Sequence, residues 1–259
     1  MEKKIVFCNC GGSLLKNDSK EEISGALKQG NANFTIVSDL CGLCATKNED
    51  IKNLMSSSEE ILVIACRPRT VKLLLNSAGF DSKSPKMHFY NFLDHDLNHL
   101  LEEIKNFGIQ GNNLHFTEEI KSNPEWPAWY PLIDYSRCSS CGQCADFCLF
   151  GVYEKKNNMV VVVNPEGCKT NCPACARICP KTAIVFPKYE LGGAIAGDES
   201  IDETEELKRQ QKDIDVILGS EIYQALEKRK LKRQSIIRNQ AMQEAIKERV
   251  QALNEYRKK

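Results

Sequence analysis

What most constrains this chain is a rhythm of cysteines between residues 138 and 180. Cys138, Cys141, Cys144 and Cys148 are spaced C-x2-C-x2-C-x3-C, and Cys168, Cys172, Cys175 and Cys179 are spaced C-x3-C-x2-C-x3-C with Pro180 following. Cys141, Cys144 and Cys148 each recur 31 residues later, and only the pair Cys138 and Cys168 differs, at 30. Three thiolates on one tight loop can wrap three corners of an iron-sulfur cubane. The fourth iron lies too far round for the same loop, so its ligand comes from the other half. The spacing predicts two 4Fe-4S clusters, one on Cys138, Cys141, Cys144 and Cys179 and the other on Cys168, Cys172, Cys175 and Cys148. Zinc ribbons repeat CxxC pairs without a third and fourth cysteine at this interval, so they do not account for the pattern.

The chain carries 13 cysteines in 259 residues. An odd count, tight clustering and an opening MEKKIVFCNCGG unlike a secretory signal argue against a disulfide framework and for metal ligation in a reducing compartment. No run of about 18 apolar residues is present, so no membrane span is expected, and a cytoplasmic location is. Lys plus Arg balances Asp plus Glu at 35 each, which leaves no global field to select nucleic acid or an anionic membrane.

Upstream, apolar runs at Ile5 to Phe7, Phe34 to Val37, Ile61 to Ala65 and His88 to Phe92 alternate with helical stretches at 21–29, 48–55, 70–78 and 94–105. Strands alternating with helices of that length predict an α/β domain over 1–120 with a small parallel sheet. The Pro/Trp stretch 121–133, containing PEWPAWYP, reads as a linker that packs down between domains. An α+β module over 134–190 follows. Its segments Gly151 to Tyr153, Val160 to Val163 and Thr182 to Phe186 are expected to line the clusters. Residues 191–203 read as a flexible acidic linker, and 204–259, proline-free with one glycine at Gly219, read as a helical tail breaking at Gly219 and Ser220.

Five cysteines remain: Cys8, Cys10, Cys41, Cys44 and Cys66. Cys8 closes the first predicted strand, Cys41 follows the second and Cys66 ends the third. In an open parallel sheet the carboxyl ends of the strands share one edge, so these residues converge and form a candidate fourfold site for iron-sulfur or zinc. The bland alternative is that each is a small buried hydrophobe.

Two resemblances extend these readings. RCSSCGQCADFCLFGVY and GCKTNCPACARICPKTAIVFPKY, preceded by WPAWYPLIDY, resemble a ferredoxin-family iron-sulfur protein of the two-cluster bacterial type. IVFCNCGGSL, SDLCGLC and ILVIACRPRTVKLLLNSAGF resemble the N-terminal domain of the heterodisulfide reductase A subunit. In that family a CxCG turn, a central cysteine and a Cys-x-Pro-Arg turn surround an additional 4Fe-4S cluster. The resemblance implies a third cluster on Cys8, Cys10, Cys41 and Cys66, with Cys44 the spare. This loop has two cysteines where the family has one, so which of Cys41 and Cys44 ligates stays open. The family's flavin domain is missing, and no GxGxxG follows a strand anywhere, so no flavin site or hydride chemistry is expected.

Other candidates are plainer. Arg67 and Arg69 beside Cys66 read either as groups that tune a cluster or meet a partner's carboxylate, or as surface arginines around Pro68 at a helix start. His95 and His99, four apart on a predicted helix, read as a solvated face. Gly11-Gly12 lacks the Lys-Ser or Lys-Thr ending of a phosphate loop. Residues 221–259 carry eleven basic and five acidic side chains, with an apolar stripe through Leu226, Ile236, Ile246 and Leu253. With few aromatics for base stacking, the tail reads as a docking helix for a redox protein complex, not as a nucleic-acid arm. The expected function is a non-catalytic electron relay through two or three 4Fe-4S clusters to or from a larger oxidoreductase complex. Its rivals are thiol or disulfide chemistry at Cys41 or Cys44, and a redox-sensing nucleic-acid binder.

Overall fold

Runs such as IVF, FTIV and ILVIA are apolar on both faces of an extended strand, and only a sheet covered on both sides buries such residues. The computed structural model describes residues 3–10, 14–29, 34–57, 60–93, 97–107, 116–209 and Lys247. The first half runs β1 (Lys3–Cys8), α1 (Asn17–Gln29), β2 (Phe34–Val37), α2 (Leu40–Ala45), α3 (Glu49–Ser57), β3 (Glu60–Ala65), α4 (Pro68–Ser77), β4 (Met87–Asn91), α5 (Leu97–Asn106) and β5 (Phe116–Ile120). The strands form one parallel sheet in the order β4-β3-β1-β2-β5. Ile5, Val6, Phe7, Val63 and Ile64 are fully buried at its centre. Helix α1 packs with α5, and α2 with α4.

The four strands expected from sequence are present, as are the four helices. Two elements were not legible. The short α2 carries Cys41 and Cys44, and β5 adds a fifth strand beside β2. The chain steps from β1 out to β2 and then back across β1 to β3, so the strand order reverses at β1. Open parallel sheets bind ligands in the crevice outside the carboxyl ends of strands at such a reversal. Cys8 ends β1 and Cys66 immediately follows β3.

The second half is built on two short antiparallel pairs. β6 (Leu132–Ile133) pairs with β9 (Ile184–Val185), and β7 (Tyr153–Lys156) pairs with β8 (Met159–Val162). Asn157 and Asn158 join the latter pair with φ of 50° and 60°, the left-handed values that a tight two-residue hairpin turn demands and that asparagine tolerates. Helices α6 (Gln143–Phe147) and α7 (Ala174–Arg177) sit 31 residues apart, in the register of the cysteine repeat. The backbone echoes the same interval: Ser140 and Asn171 both have positive φ, as do Gly151 and Thr182. The extra residue of the second loop therefore lies between Cys168 and Asn171. Val152, Tyr153, Val160, Ile184 and Phe186 form the core of this half. Val163, expected to line it, is 40% exposed because the chain leaves the hairpin there.

Residues 1–206 form one compact unit, and 207–259 form a second. Within the first, Tyr130 is buried against the core of the sheet and Trp129 against that of the cysteine module. Residues 191–203, read as a flexible acidic linker, instead contain helix α8 (Gly193–Ala196), with Ala194, Ile195 and Ala196 buried. That segment is held by side chains of α4 and its N-cap. Thr70 Oγ1 donates to Ala196 O at 2.8 Å, Arg69 Nη1 to Ala194 O at 3.3 Å, and Arg67 pairs with Asp198. Gly197, at φ 89°, lies so close to Thr70 that an added Cβ would fall 1.8 Å from its Oγ1. Sequence composition missed this because Asp198 and Glu199 pair with Arg67 and Lys72 of the first half, and Glu203 with Arg137. Among the described residues, no helix is long and apolar enough to cross a membrane. Gly11, Gly12, His95 and nearly all of the expected tail helices lie outside the described residues.

Candidate iron-sulfur centre

Among the described residues no three His, Cys, Asp or Glu side chains are grouped as ligands of a single metal ion. The cysteines nonetheless fall into sets that feel one another's charge. In the second half, a cleft lined by Cys138, Cys141, Cys144 and Cys179 also contacts Pro180, Val160 and Ile184. Burial raises the Cys144 thiol to about 11, and Cys179 and Cys138 add to the effect. Cys168 is raised to about 12 by burial, then by Cys172 and Cys148. Cys175 is likewise raised to about 12, with Cys168, Cys144 and Cys148 as its charged neighbours. Cys179 thus lies with Cys138, Cys141 and Cys144, and Cys148 with Cys168 and Cys175, while Cys144 also acts on Cys175. Thiols held this high stay protonated until a metal takes the thiolate, and loading releases those protons.

Hydrogen bonds reach several sulfurs. Ser140 N–H points at Cys138 Sγ and Ala183 N–H at Cys179 Sγ, both at 3.4 Å, and Tyr153 Oη lies 3.0 Å from Cys175 Sγ. Donors to a ligating sulfur stabilise its negative charge and set the cluster's potential. Tyr153 was legible only as apolar lining. Its hydroxyl role depends on a partner 22 residues away, which no local pattern reveals.

The N-terminal cysteines also gather at one sheet edge. Cys8, Cys10, Cys41, Cys44 and Cys66 are all buried. Cys8 is raised by its hydrogen bond with Cys10, then by burial, with Cys41 also contributing. Cys41 is raised by burial, with Asp39, Cys10 and Cys66 contributing. Cys66 rises to about 12 through burial and Cys10. Cys10 thus acts on Cys8, Cys41 and Cys66, and Cys41 is acted on by Cys66 and acts on Cys8, while Cys44 is raised to about 12 by burial and then Asp39. Cys44 instead lines a cavity of about 1020 Å³ with Arg69, Tyr130 and Asp134. Leu40 N–H reaches Cys8 Sγ at 3.5 Å, and Tyr130 Oη donates to Cys41 O at 2.9 Å. Asp39 caps α2 by accepting from Cys41 N–H at 3.1 Å.

The remaining sequence candidates have structural partners. Pro68 does start α4, but Arg67 and Arg69 are neither surface groups nor open to a partner's carboxylate, since both pair inside the chain with Asp198 and Asp134. His99 Nδ1 lies 3.2 Å from Tyr90 Oη, and the two rings stack. Sequence reading also missed Asp39 and Lys188, whose buried ion pair lies beside Cys41.

Two repeated sets of cysteines in one small α+β module, with N–H donors reaching several sulfurs, are the arrangement of an iron-sulfur electron carrier. A family described as 4Fe-4S dicluster domain matches residues 130–212. An uncharacterized ferredoxin of Methanocaldococcus jannaschii is 45% identical over 77 residues, 29% of this chain and 52% of that protein. Ferredoxin-3 of Nostoc sp. is 33% identical over 82 residues, 25% of this chain and 84% of that protein. The chain belongs to the ferredoxin family and carries a 4Fe-4S dicluster domain. It spans about half the length of the Methanocaldococcus relative.

Proposed function

We propose that the chain relays single electrons through two 4Fe-4S clusters and a third in the N-terminal domain, to or from a larger oxidoreductase complex. In this reading Cys138, Cys141, Cys144 and Cys179 hold one cluster, and Cys168, Cys172, Cys175 and Cys148 hold the second. Cys8, Cys10, Cys41 and Cys66 hold the third, in a domain resembling that of the heterodisulfide reductase A subunit. What supports it most is the position of these buried cysteines around the carboxyl ends of β1, β2 and β3, with Cys10 acting on Cys8, Cys41 and Cys66, and with Cys44 lining the cavity beside Arg69 and Asp134. The clusters supply one-electron transfer, and the protein supplies burial, N–H donors and rigid placement. A catalytic thiol at Cys44 is the weaker reading, because burial, with the Asp39 charge adding to it, raises that thiol to about 12. The docking complex is assigned to the tail, by its basic, apolar-striped sequence.

The test is anaerobic purification of the whole chain followed by iron and sulfide analysis and EPR of the reduced protein. About twelve irons per chain are expected, at four per cubane. Eight irons would remove the third cluster, and stoichiometric zinc in place of iron would remove the reading altogether.

A further inference from the structure

A lysine is almost never fully buried unless it is paired, because its charge is costly outside water. Lys188 is 9% exposed. It lies just past β9, in the cysteine module, yet its ammonium reaches 149 residues back to Asp39 Oδ2 and also bonds Pro127 O. Asp39 is itself buried, and its other oxygen fixes the N-terminus of α2 through Cys41 N–H. One module thus delivers a positive charge into the cysteine site of the other. The surroundings are otherwise negative once loaded: four thiolates and the Asp39 carboxylate, with Arg67 the other cation acting on Cys66.

We propose that Lys188 is the internal counter-charge of the N-terminal cluster site, raising the potential of the group held there and tying its loading to the docked ferredoxin module. This rests on the third-cluster reading above. In the redox step one electron from a low-potential one-electron donor enters the cluster, and the total charge falls by one. No bond breaks and no proton moves, because Lys188 is already an ammonium ion paired with Asp39. A fixed positive charge favours the reduced, more negative state, and a fixed negative charge opposes it.

The signs make the proposal separable from a merely structural role. In the full chain, Lys188→Gln is expected to lower the midpoint of the N-terminal cluster in an EPR-monitored titration with dithionite and mediators. Asp39→Asn, which keeps an acceptor for Cys41 N–H, is expected to raise it. The double variant is expected to return toward the wild-type midpoint, and Lys188→Arg to stay near it. Shifts of the same sign in the two single variants, or an unmoved midpoint with twelve irons retained, would overturn the proposal. Should Lys188→Gln lose the four N-terminal irons, retention in Lys188→Arg supports the charge role, and loss in both overturns it. A wild-type chain with only eight irons would instead sink the third-cluster reading, and the proposal with it.

Discussion

Arg69 reaches 65 residues along the chain to Asp134, and its Nη2 meets Asp134 Oδ2 at 2.9 Å. Both side chains are nearly buried, and Oδ1 of the same carboxylate accepts from Ser136 N–H and Oγ. The backbone oxygen of Asp134 also accepts Cys138 N–H at 2.9 Å. One residue therefore binds the module to α4 and anchors the loop that begins at Cys138. Arg69→Met strands a buried carboxylate and should cost about 3 kcal/mol, read as a lower midpoint in denaturant unfolding. An unchanged midpoint would show that the seam does not depend on this pair.

The same pair gives a pH dependence. Burial pushes the Asp134 carboxyl up, but hydrogen bonds from Ser136 and Arg69, with the arginine's charge, outweigh it and hold the group below its ordinary value. The resulting stability is present above the ordinary carboxylate range and is lost as pH falls through the lowered folded value. Asp134→Asn should flatten the acid limb of a stability curve; an acid limb as steep as wild type would assign it to other carboxylates.

Gly197→Ala should destabilise the unit by at least about 1 kcal/mol from its left-handed backbone alone. The collision with Thr70 adds to this. Thermal unfolding measures it, and pairing with Thr70→Ala should recover part of the loss. No recovery would place the cost entirely in the backbone.

Removal of the Cys148 thiol by Cys148→Ala should damage the cluster of Cys168, Cys172 and Cys175, although Cys144 is its nearer neighbour in sequence. Cys179→Ala should damage the cluster of Cys138, Cys141 and Cys144. EPR of the single variants distinguishes the two, and loss of the sequence-local cluster in either case would refute the exchange of ligands.

Tyr153→Phe keeps the packing but removes the donor to Cys175. If about 1 kcal/mol of that bond differs between oxidation states, the second cluster's potential should fall by about 40 mV with no loss of iron. A fixed potential would mean that the hydroxyl only fills space.

Much of this was readable from residues alone, and the limits have physical causes. The central sulfurs were legible because a cubane imposes its dimensions on a short loop. The sheet was legible because its strands are apolar on both faces. Helix α2 escaped because six residues with two cysteines and a glycine carry little periodic signal, although its capping aspartate, Asp39, precedes it directly. Strand β5 escaped because FTEEI is polar at an edge. Lys188, Tyr153 and the roles of Arg67 and Arg69 depend on partners distant in sequence, which nothing local can encode. Helix α8 was masked by glycines and acids that suggest a loose connector until the arginines opposite them are known.

The wedge of Gly197 against Thr70 has a bearing on rates. Carriers whose domains swing on a hinge pass electrons no faster than the hinge diffuses, and they slow in glycerol or sucrose. Here Thr70, Arg67 and Arg69 clasp residues 194–198 instead. On the reading proposed above, with a cluster in the sheet domain, electron traffic inside this unit would be set by tunnelling distance and driving force, and solvent viscosity would leave it untouched.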